Sequence, residues 1–187
     1  MSHWLFDSIR RKVSDPGDIV EFGTNCGNTA IALAQTFPDR RIFTIEHFKG
    51  LEATRKHMPV THRGEPIWPE GEFQCDRALT QAALAPFSNI TLIDCDIHQL
   101  RSPAYYGIGR VAMAHIDVDI YEPTVASLQF LTECLWSTLC IQFDDWHGGE
   151  PQFDEHERLA CQEWVEANGY QLDKLCDGLR GEVQVRR

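Results

Sequence analysis

Four aspartates stand where two apolar segments of the chain end. Asp117 and Asp119 lie at the end of one segment, and Asp144 and Asp145 follow the other. If these segments are neighbouring parallel strands, about 4.8 Å apart, the four carboxylates converge at one edge of a sheet. Converging carboxylates repel one another and raise one another's pKa values. A hard divalent cation such as Mg²⁺, Mn²⁺ or Ca²⁺ would relieve the repulsion, and merely solvated acids are the alternative.

The histidines near these acids differ in their expected roles. His147 follows the second pair and is the best-placed histidine for a second base or an outer ligand. His115 lies inside the preceding apolar segment, where we expect it to pack or to hydrogen-bond structurally. The pair at 156–157 begins like a zinc-protease helix, but position 160 is Ala160 rather than histidine, so that motif fails. With no cysteine among the candidate ligands, a structural zinc site is disfavoured.

A glycine-containing turn lies near the start of the chain, with Gly23 and Gly27 spaced as G-x-x-x-G. Dinucleotide-binding enzymes use G-x-G-x-x-G, which holds a pyrophosphate at a helix N-terminus. The different spacing suits a ligand that has an ammonium group and no phosphate, such as S-adenosylmethionine. Glu21, at the mouth of the turn, would accept that ammonium. Tight strand-to-helix turns also use this spacing for structure alone.

Acidic residues also follow the next two predicted strands. Glu46 comes about twenty positions after the glycines, where a carboxylate accepts hydrogen bonds from both ribose hydroxyls. The third strand runs into the segment 94–97, where a carboxylate would accept the adenine amino group. Each acid alone is equally consistent with a solvated strand end. Three such features in this order favour a nucleoside site.

Strand-like and helix-like segments alternate along the chain and predict how these residues are positioned. The predicted strands are 18–22, 41–46, 89–94, 111–117 and 139–143, and the predicted helices are 28–36, 76–85, 124–136 and 155–167. The segments 170–176 and 181–185 read as a hairpin. Repeated strand–helix–strand units predict an α/β fold with helices on both faces of a mostly parallel sheet. Ligands in this architecture bind outside the carboxyl ends of the strands.

The whole chain, residues 1–187, is predicted to form a single domain with a short amphipathic helix within residues 1–17. The segment 49–71 is rich in proline and glycine and fits no regular element. Such a stretch inside a compact domain is usually a functional lid or a mobile loop. We therefore predict a lid over the ligand site.

Composition excludes several classes of protein. The formal net charge is −11 and no basic run is longer than 10–12, which disfavours a nucleic-acid substrate. No apolar run approaches the ~20 residues that a membrane helix needs. The first basic run follows the apolar residues instead of preceding them, unlike a secretory signal. Seven scattered cysteines without a C-x-x-C pair suit a reducing cytoplasm.

The segment 111–124, which contains HIDVDIYEPT, and FDDW at 143–146 resemble the macrocin O-methyltransferase family within the class I S-adenosylmethionine-dependent enzymes. Further matches are VEFGTNCGNT at the first turn, FTIEHFKGL after the second strand and GEF at 71–73. The resemblance covers roughly residues 18–170. It implies a Rossmann-like methyltransferase fold, with a seven-stranded, mostly parallel sheet and a C-terminal antiparallel hairpin. It also implies methylation of sugar or phenolic hydroxyls of natural products, with magnesium.

Motif matching assigns roles to individual residues. The resemblance implies that Asp117, Asp144 and Asp145 bind the metal ion, and that Asp119 is a nearby base or substrate contact. Glu46 would hold the ribose. The remaining predicted cofactor contacts are Asp96 at the adenine, Glu21, Gly23, Thr24, Asn25, Gly27, Asn28, Thr29, His47, Ile97 and Asp117.

Other readings of the same sequence stay open. One is a metal-independent methyltransferase in which the acids only shape the pocket, and another is a non-catalytic S-adenosylmethionine-binding module. A nicotinamide-dependent oxidoreductase is disfavoured by the glycine spacing. The expected partner is a small hydroxylated acceptor, without nucleic acid or membrane, and a homodimer is left open.

Overall fold

A computed structural model describes residues 6–53, 63–64, 69–146, 156–177 and 180–187. Its strands are β1 (Asp18–Phe22), β2 (Ile42–Glu46), β3 (Ile90–Asp94), β4 (Val111–Ile116), β5 (Thr138–Phe143), β6 (Gln171–Asp177) and β7 (Gly181–Arg186). They form one seven-stranded sheet in the order β3-β2-β1-β4-β5-β7-β6. Only the pairs β5–β7 and β6–β7 are antiparallel. The predicted parallel sheet with a C-terminal hairpin is confirmed.

The described helices are α1 (Asp7–Arg10), α2 (Asn28–Thr36), α3 (Arg77–Leu84), α4 (Tyr121–Cys134) and α5 (Glu157–Asn168), with two 3₁₀ turns at Ile97–Gln99 and Pro103–Tyr106. The start predicted for α4, residue 124, is wrong by three residues, and α4 ends at Cys134 because Leu135 is extended. The predicted N-terminal helix is short within the described residues. Asp15-Pro16-Gly17 cannot continue it, because proline disfavours a helical residue before it. No described helix has the length and apolarity needed to cross a membrane.

The two faces of the sheet carry separate apolar clusters. One joins β-strand residues to α4 and α5, including Leu131 and Trp164. The other joins the sheet to α1 and α2, including Phe6 and Leu33. Every residue of β1 and β4 is buried, which is typical of parallel strands covered on both sides. Helices on both faces are thus confirmed.

A row of buried polar side chains crosses the sheet close to its carboxyl edge. Thr44, Glu21, His115, Gln142 and Glu182 are paired in register from β2 to β7. All five are buried. Buried polar groups are costly unless they are hydrogen-bonded, so this row is an unusual feature for a sheet interior.

The N-terminal segment closes over that row. Ser8 donates a hydrogen bond to Glu182, and Lys12 Nζ lies 3.5 Å from a Glu182 carboxylate oxygen. The Phe6 ring stands edge-on to the His115 ring, with centroids 5.6 Å apart. The short α1 is therefore stabilised by tertiary contacts rather than by its own length.

The segment predicted as a lid is described at its ends and at residues 63–64. Leu51 N–H donates to Glu72 O and Gly71 N–H to Leu51 O, both at 2.8 Å. These two bonds join the ends of the segment beside the carboxyl edge of the sheet. Residues 54–62 and 65–68 lie outside the described residues, and the lid remains a prediction.

Candidate functional site

A cavity of about 410 Å³ opens at the carboxyl edge of the sheet. This volume falls in the range typical of small-molecule pockets. Ten of the residues singled out by sequence line it: Gly23, Asn25, Glu46, His47, Asp96, Ile97, Asp117, Asp119, Asp144 and Asp145. The structure therefore brings the glycine turn, the strand-end acids of β2 and β3 and the four aspartates to one cavity.

Other predicted residues lie elsewhere. Glu21 is fully buried behind the cavity wall, where its carboxylate accepts a hydrogen bond from Thr44. Thr24 is buried beside it and also hydrogen-bonds to Thr44. The turn and helix residues Gly27, Asn28 and Thr29 are not among the lining residues described. His147 lies outside the described residues, and its proposed role as a base stays a prediction.

Glu46 is anchored by backbone amides. Its Oε1 accepts hydrogen bonds from the N–H groups of His47 and Phe48, at 2.8 and 2.9 Å, and its Oε2 accepts one from Asn25 at 2.9 Å. Asn25 and Phe48 both have positive φ values, 45° and 65°, which are uncommon for residues other than glycine. The backbone thus adopts an unfavourable conformation to hold this carboxylate in place, a pattern that clusters at functional sites.

Gly23 permits close contact between two strand ends. Its φ is +90°, and a Cβ atom there would lie 1.8 Å from the carbonyl oxygen of Asp117. At Gly27, with φ +83°, a Cβ atom would lie 2.9 Å from a Leu84 methyl carbon. Both glycines therefore serve the chain's own packing. At Gly23 this packing sets the position of the Asp117 backbone beside the cavity.

The four aspartates lie together, but in two overlapping groups. Candidate ligand atoms of Asp117, Asp119 and Asp145 all lie within 4.8 Å of one another, and so do those of His115, Asp117 and Asp144. The trio assigned from the family resemblance is thus divided between the groups, with Asp117 in both. β4 ends at Ile116, one residue before the predicted end, and Asp119 has a φ of 60°, so Asp117 and Asp119 lie in the loop that follows the strand.

Burial and crowding raise the pKa values of three acids of the cluster, Asp119, Asp144 and Asp145. Burial, followed by the charges of Asp145 and Asp117, raises the pKa of Asp119 to about 9. Burial and the charge of Asp144 raise the pKa of Asp145 to about 6. Burial and Asp117 also raise the pKa of Asp144, against the opposing charges of His115 and Arg180. The site therefore carries more negative charge than its described surroundings neutralise.

Two contributors to the cluster were missed by sequence reasoning. Glu157, the first residue of α5, is fully buried and accepts hydrogen bonds from Asp145 N at 2.9 Å and Val118 N at 3.4 Å. Arg180 Nε lies 2.5 Å from Asp144 Oδ1. An acid in the first turn of the helix after the second aspartate pair was the only signal for Glu157. Arg180 lies at the tip of the hairpin and offered none.

His115 borders the cluster from the interior of the sheet. Its ring is buried, and neither ring nitrogen has a hydrogen-bond partner. Burial lowers its pKa, but the neighbouring carboxylates of Asp117, Glu21 and Asp144 outweigh burial, and the pKa is raised. Crowded carboxylates beside an unpaired imidazole nitrogen are a donor set that fits a divalent cation.

Without a divalent cation, we expect the protein to lose stability as the pH rises from about 5 to about 9. Burial raises the pKa of Glu21 to about 8, and the pKa values of Asp119 and Asp145 are raised to about 9 and about 6. Unfolded carboxyl groups titrate near pH 4. The folded state therefore holds more protons in this window, and the free energy of unfolding falls as the pH increases.

Thermal melting in a chelating buffer at several pH values measures this effect. Asp119→Asn removes the group with the highest of these pKa values, so its melting temperature should fall less between pH 7 and 9. A melting temperature of the wild-type protein that stays constant or rises across the window would contradict the prediction.

Comparisons with known proteins agree with the fold. No protein-family model and no curated protein matches the chain. Among solved structures, CalS11, a calicheamicin methyltransferase, matches with a TM-score of 0.71 at 21% identity, over 98% of this chain and 77% of that chain. The O-methyltransferase NovP matches with a TM-score of 0.70 at 17% identity, over 98% of this chain and 79% of that chain.

A third match is the SAH-bound methyltransferase PaMTH1 of Podospora anserina, with a TM-score of 0.60 at 14% identity, over 98% of this chain and 76% of that chain. At these identities the likeness shows the fold alone. The chain has the Rossmann-like fold of class I methyltransferases, as the sequence predicted. The resemblance to the macrocin O-methyltransferase family stays a prediction.

Proposed function

We propose that this chain is an S-adenosylmethionine-dependent O-methyltransferase that methylates a hydroxyl group of a small sugar or phenolic natural product with help from a divalent cation. The observation that carries the proposal is one cavity lined by acids from both sides of β1. Glu46 and Asp96 follow β2 and β3 on one side, and Asp117, Asp119 and Asp145 follow β4 and β5 on the other. Three methyltransferases share the fold and add support.

The first end suits a nucleoside. Glu46 Oε2 accepts one backbone hydrogen bond, and a carboxylate oxygen has room for a second, such as one from a ribose hydroxyl. Asp96 uses one oxygen to accept His98 N–H at 2.9 Å, so its other oxygen is left for an adenine amino group. Bound there, S-adenosylmethionine would supply the methyl group as a sulfonium.

The second end suits the acceptor hydroxyl. Asp117, Asp144 and Asp145 would hold the cation, which would lower the pKa of a coordinated hydroxyl group. Asp119 is then the candidate base. With a pKa of about 9 it is protonated at neutral pH, and it can accept a proton only when positive charge nearby stabilises its carboxylate. Cation binding and base activity are thereby coupled.

Glu157 holds the aspartates of the site in fixed positions relative to one another. Glu157 ties the backbone after β4 to the backbone after β5 through its bonds to Val118 and Asp145. Holding the two aspartate-bearing loops together fixes the distance between the base and the cation ligands. Fixed geometry of this kind converts a bimolecular transfer into an effectively unimolecular one.

A metal-independent methyltransferase is the second candidate, and one contact favours it. Arg180 already pairs with Asp144, so the protein itself supplies part of the positive charge that the cluster needs. In that case the acids would shape the acceptor pocket and Asp119 would remain protonated at neutral pH.

Calorimetry with S-adenosylmethionine, followed by labelled-methyl transfer to a panel of hydroxylated acceptors, tests the proposal. We expect binding, turnover with one or more acceptors, loss of turnover after chelation and recovery on adding Mg²⁺. Glu46→Gln should weaken cofactor binding by about 10–100-fold, because hydrogen bonds to a charged group are lost. Glu133→Gln, at an exposed helix position, is the matched control and should bind normally.

The possible failures are distinct. Full turnover in the presence of chelator would favour the metal-independent enzyme. Cofactor binding without turnover of any acceptor would favour a non-catalytic module. Absence of cofactor binding would overturn the proposal as a whole.

A further inference from the structure

We infer that His115 is a ligand of the cation, through Nε2 and together with Asp117 and Asp144, and that the site therefore prefers a first-row transition ion such as Mn²⁺ or Co²⁺ to Mg²⁺. This inference rests on the cation-dependent function proposed above. It departs from the all-carboxylate set that the family resemblance implies.

The first support is that the buried ring makes no hydrogen bond. The His115 side chain is about 1% exposed, and neither of its nitrogens has a hydrogen-bond partner. Polar groups buried this deeply are nearly always paired, with protein, water or an ion, because an unpaired one costs free energy. Phe6 packs edge-on against the same ring and shields it from solvent. A cation at Nε2 would supply the missing partner.

The second support is distance. His115 Nε2 lies 3.8 Å from Asp117 Oδ2, which is too long for a hydrogen bond. Two ligand atoms that each lie about 2.1 Å from one ion are separated by up to ~4.2 Å. The separation therefore suits two ligands of a shared ion. The candidate ligand atom of Asp144 lies within 4.8 Å of both.

The third support is Glu21, which lies beside His115 on the neighbouring strand β1. Metal-bound imidazoles almost always donate their second N–H to a carboxylate, a carbonyl or water. Glu21 is the register partner of His115 on β1, and its Oε1 is also buried without a hydrogen bond. Glu21 Oε1 and the His115 ring, on adjacent strands, would both gain partners if His115 bound an ion through one nitrogen and donated its other N–H to Glu21.

The donor set decides which ion is preferred. Carboxylates alone suit Mg²⁺ and Ca²⁺, whereas an imidazole nitrogen favours first-row transition ions. Arg180 occupies Oδ1 of Asp144, but the carboxylate has a second oxygen with which to bind an ion. The guanidinium then lowers the net charge around the bound ion without removing a ligand.

Pulsed electron paramagnetic resonance of the Mn²⁺-loaded full chain tests this directly, since a coordinated imidazole gives a ¹⁴N coupling. We expect the coupling in the wild-type protein, its conversion to a ¹⁵N pattern after ¹⁵N-histidine labelling, and its loss in His115→Gln. That variant should bind Mn²⁺ about 10–100-fold more weakly, by analogy with losses at metal sites, and Mg²⁺ with a change of less than ~3-fold. His98→Gln, at a cavity histidine that pairs with Glu52, should keep the coupling.

The outcomes separate this inference from the proposed function. Mn²⁺ binding without nitrogen coupling would overturn the role of His115 and leave an all-oxygen cation site and the methyltransferase proposal standing. Coupling that survives in His115→Gln would also overturn it. If neither Mn²⁺ nor Mg²⁺ bound while S-adenosylmethionine did, the cation-dependent mechanism and this inference would both fail. Should His115→Gln not fold, loss of the coupling in His47→Gln, His98→Gln, His147→Gln or His156→Gln would overturn the role of His115, and its persistence in all four would support it.

Discussion

Asp117→Asn is expected to reduce cation affinity and methyl transfer together, each by at least about 100-fold. Asp117 is the one residue that belongs to both groups of candidate ligands. Removing a residue that only orients a metal ligand typically lowers metal affinity or activity by about 10–100-fold. Removing a ligand shared by both groups should lower them further. The asparagine keeps the shape of the side chain, and the Asp117 N–H to Phe22 carbonyl bond, at 3.0 Å, involves only the backbone.

Isothermal titration with Mn²⁺ and an initial-rate assay measure the two effects. Asp94→Asn is the matched control, because Asp94 also stands at the end of a parallel strand but is exposed and pairs with Arg77. It should change either quantity by less than about 2-fold, as surface substitutions usually do. An Asp117→Asn enzyme with normal rates would remove the acidic cluster from the mechanism.

Much of the fold followed from local patterns. β1 and α2 begin and end at the predicted residues because a short apolar run, a glycine turn and an apolar helix follow one another without ambiguity. Alternation of strands and helices then requires a parallel sheet, since crossovers bring successive strands back in the same direction. The convergence of strand-end acids at one edge is a consequence of that direction, and it needed no knowledge of side-chain positions.

The helix boundaries show where local reasoning is weaker. The predicted span of α4 began roughly at residue 124, yet α4 begins at Tyr121, with Pro123 in its first turn as the third residue. The first turn of a helix has no internal partners for its N–H groups, so a proline is tolerated there without loss of a bond. Proline marks a first turn, but it does not fix which residue of that turn it occupies.

The details of the site depended on contacts between residues far apart in the sequence. Glu157 reaches back to Asp145 and Val118, and Arg180 reaches Asp144 from the hairpin tip. His115 was expected to be structural because it lies within an apolar strand. Its closeness to the acids depends on the register of β4 and β5 and on the path of the chain after Ile116, which sequence spacing does not supply.

Gly23→Ala should be among the most damaging single substitutions in the described chain, with a loss of about 4 kcal/mol or more in the free energy of unfolding. The φ of +90° is unfavourable for alanine, and the added Cβ would overlap the Asp117 carbonyl oxygen at 1.8 Å. The conformational penalty alone is about 1–2 kcal/mol. The steric overlap adds to it, because the obstacle is backbone and cannot rotate away.

Gly107→Ala separates the two contributions. Gly107 has a φ of +74°, but a Cβ there would meet no atom within 4 Å, so this variant should lose only the ~1–2 kcal/mol of the conformational penalty. Denaturant unfolding of both variants gives the difference. If Gly23→Ala folds at all, relief of the overlap must push Asp117 away from β1, and cation affinity should fall even where the variant remains folded. Equal stability losses in the two variants, with unchanged cation binding, would show that the end of β1 does not constrain Asp117.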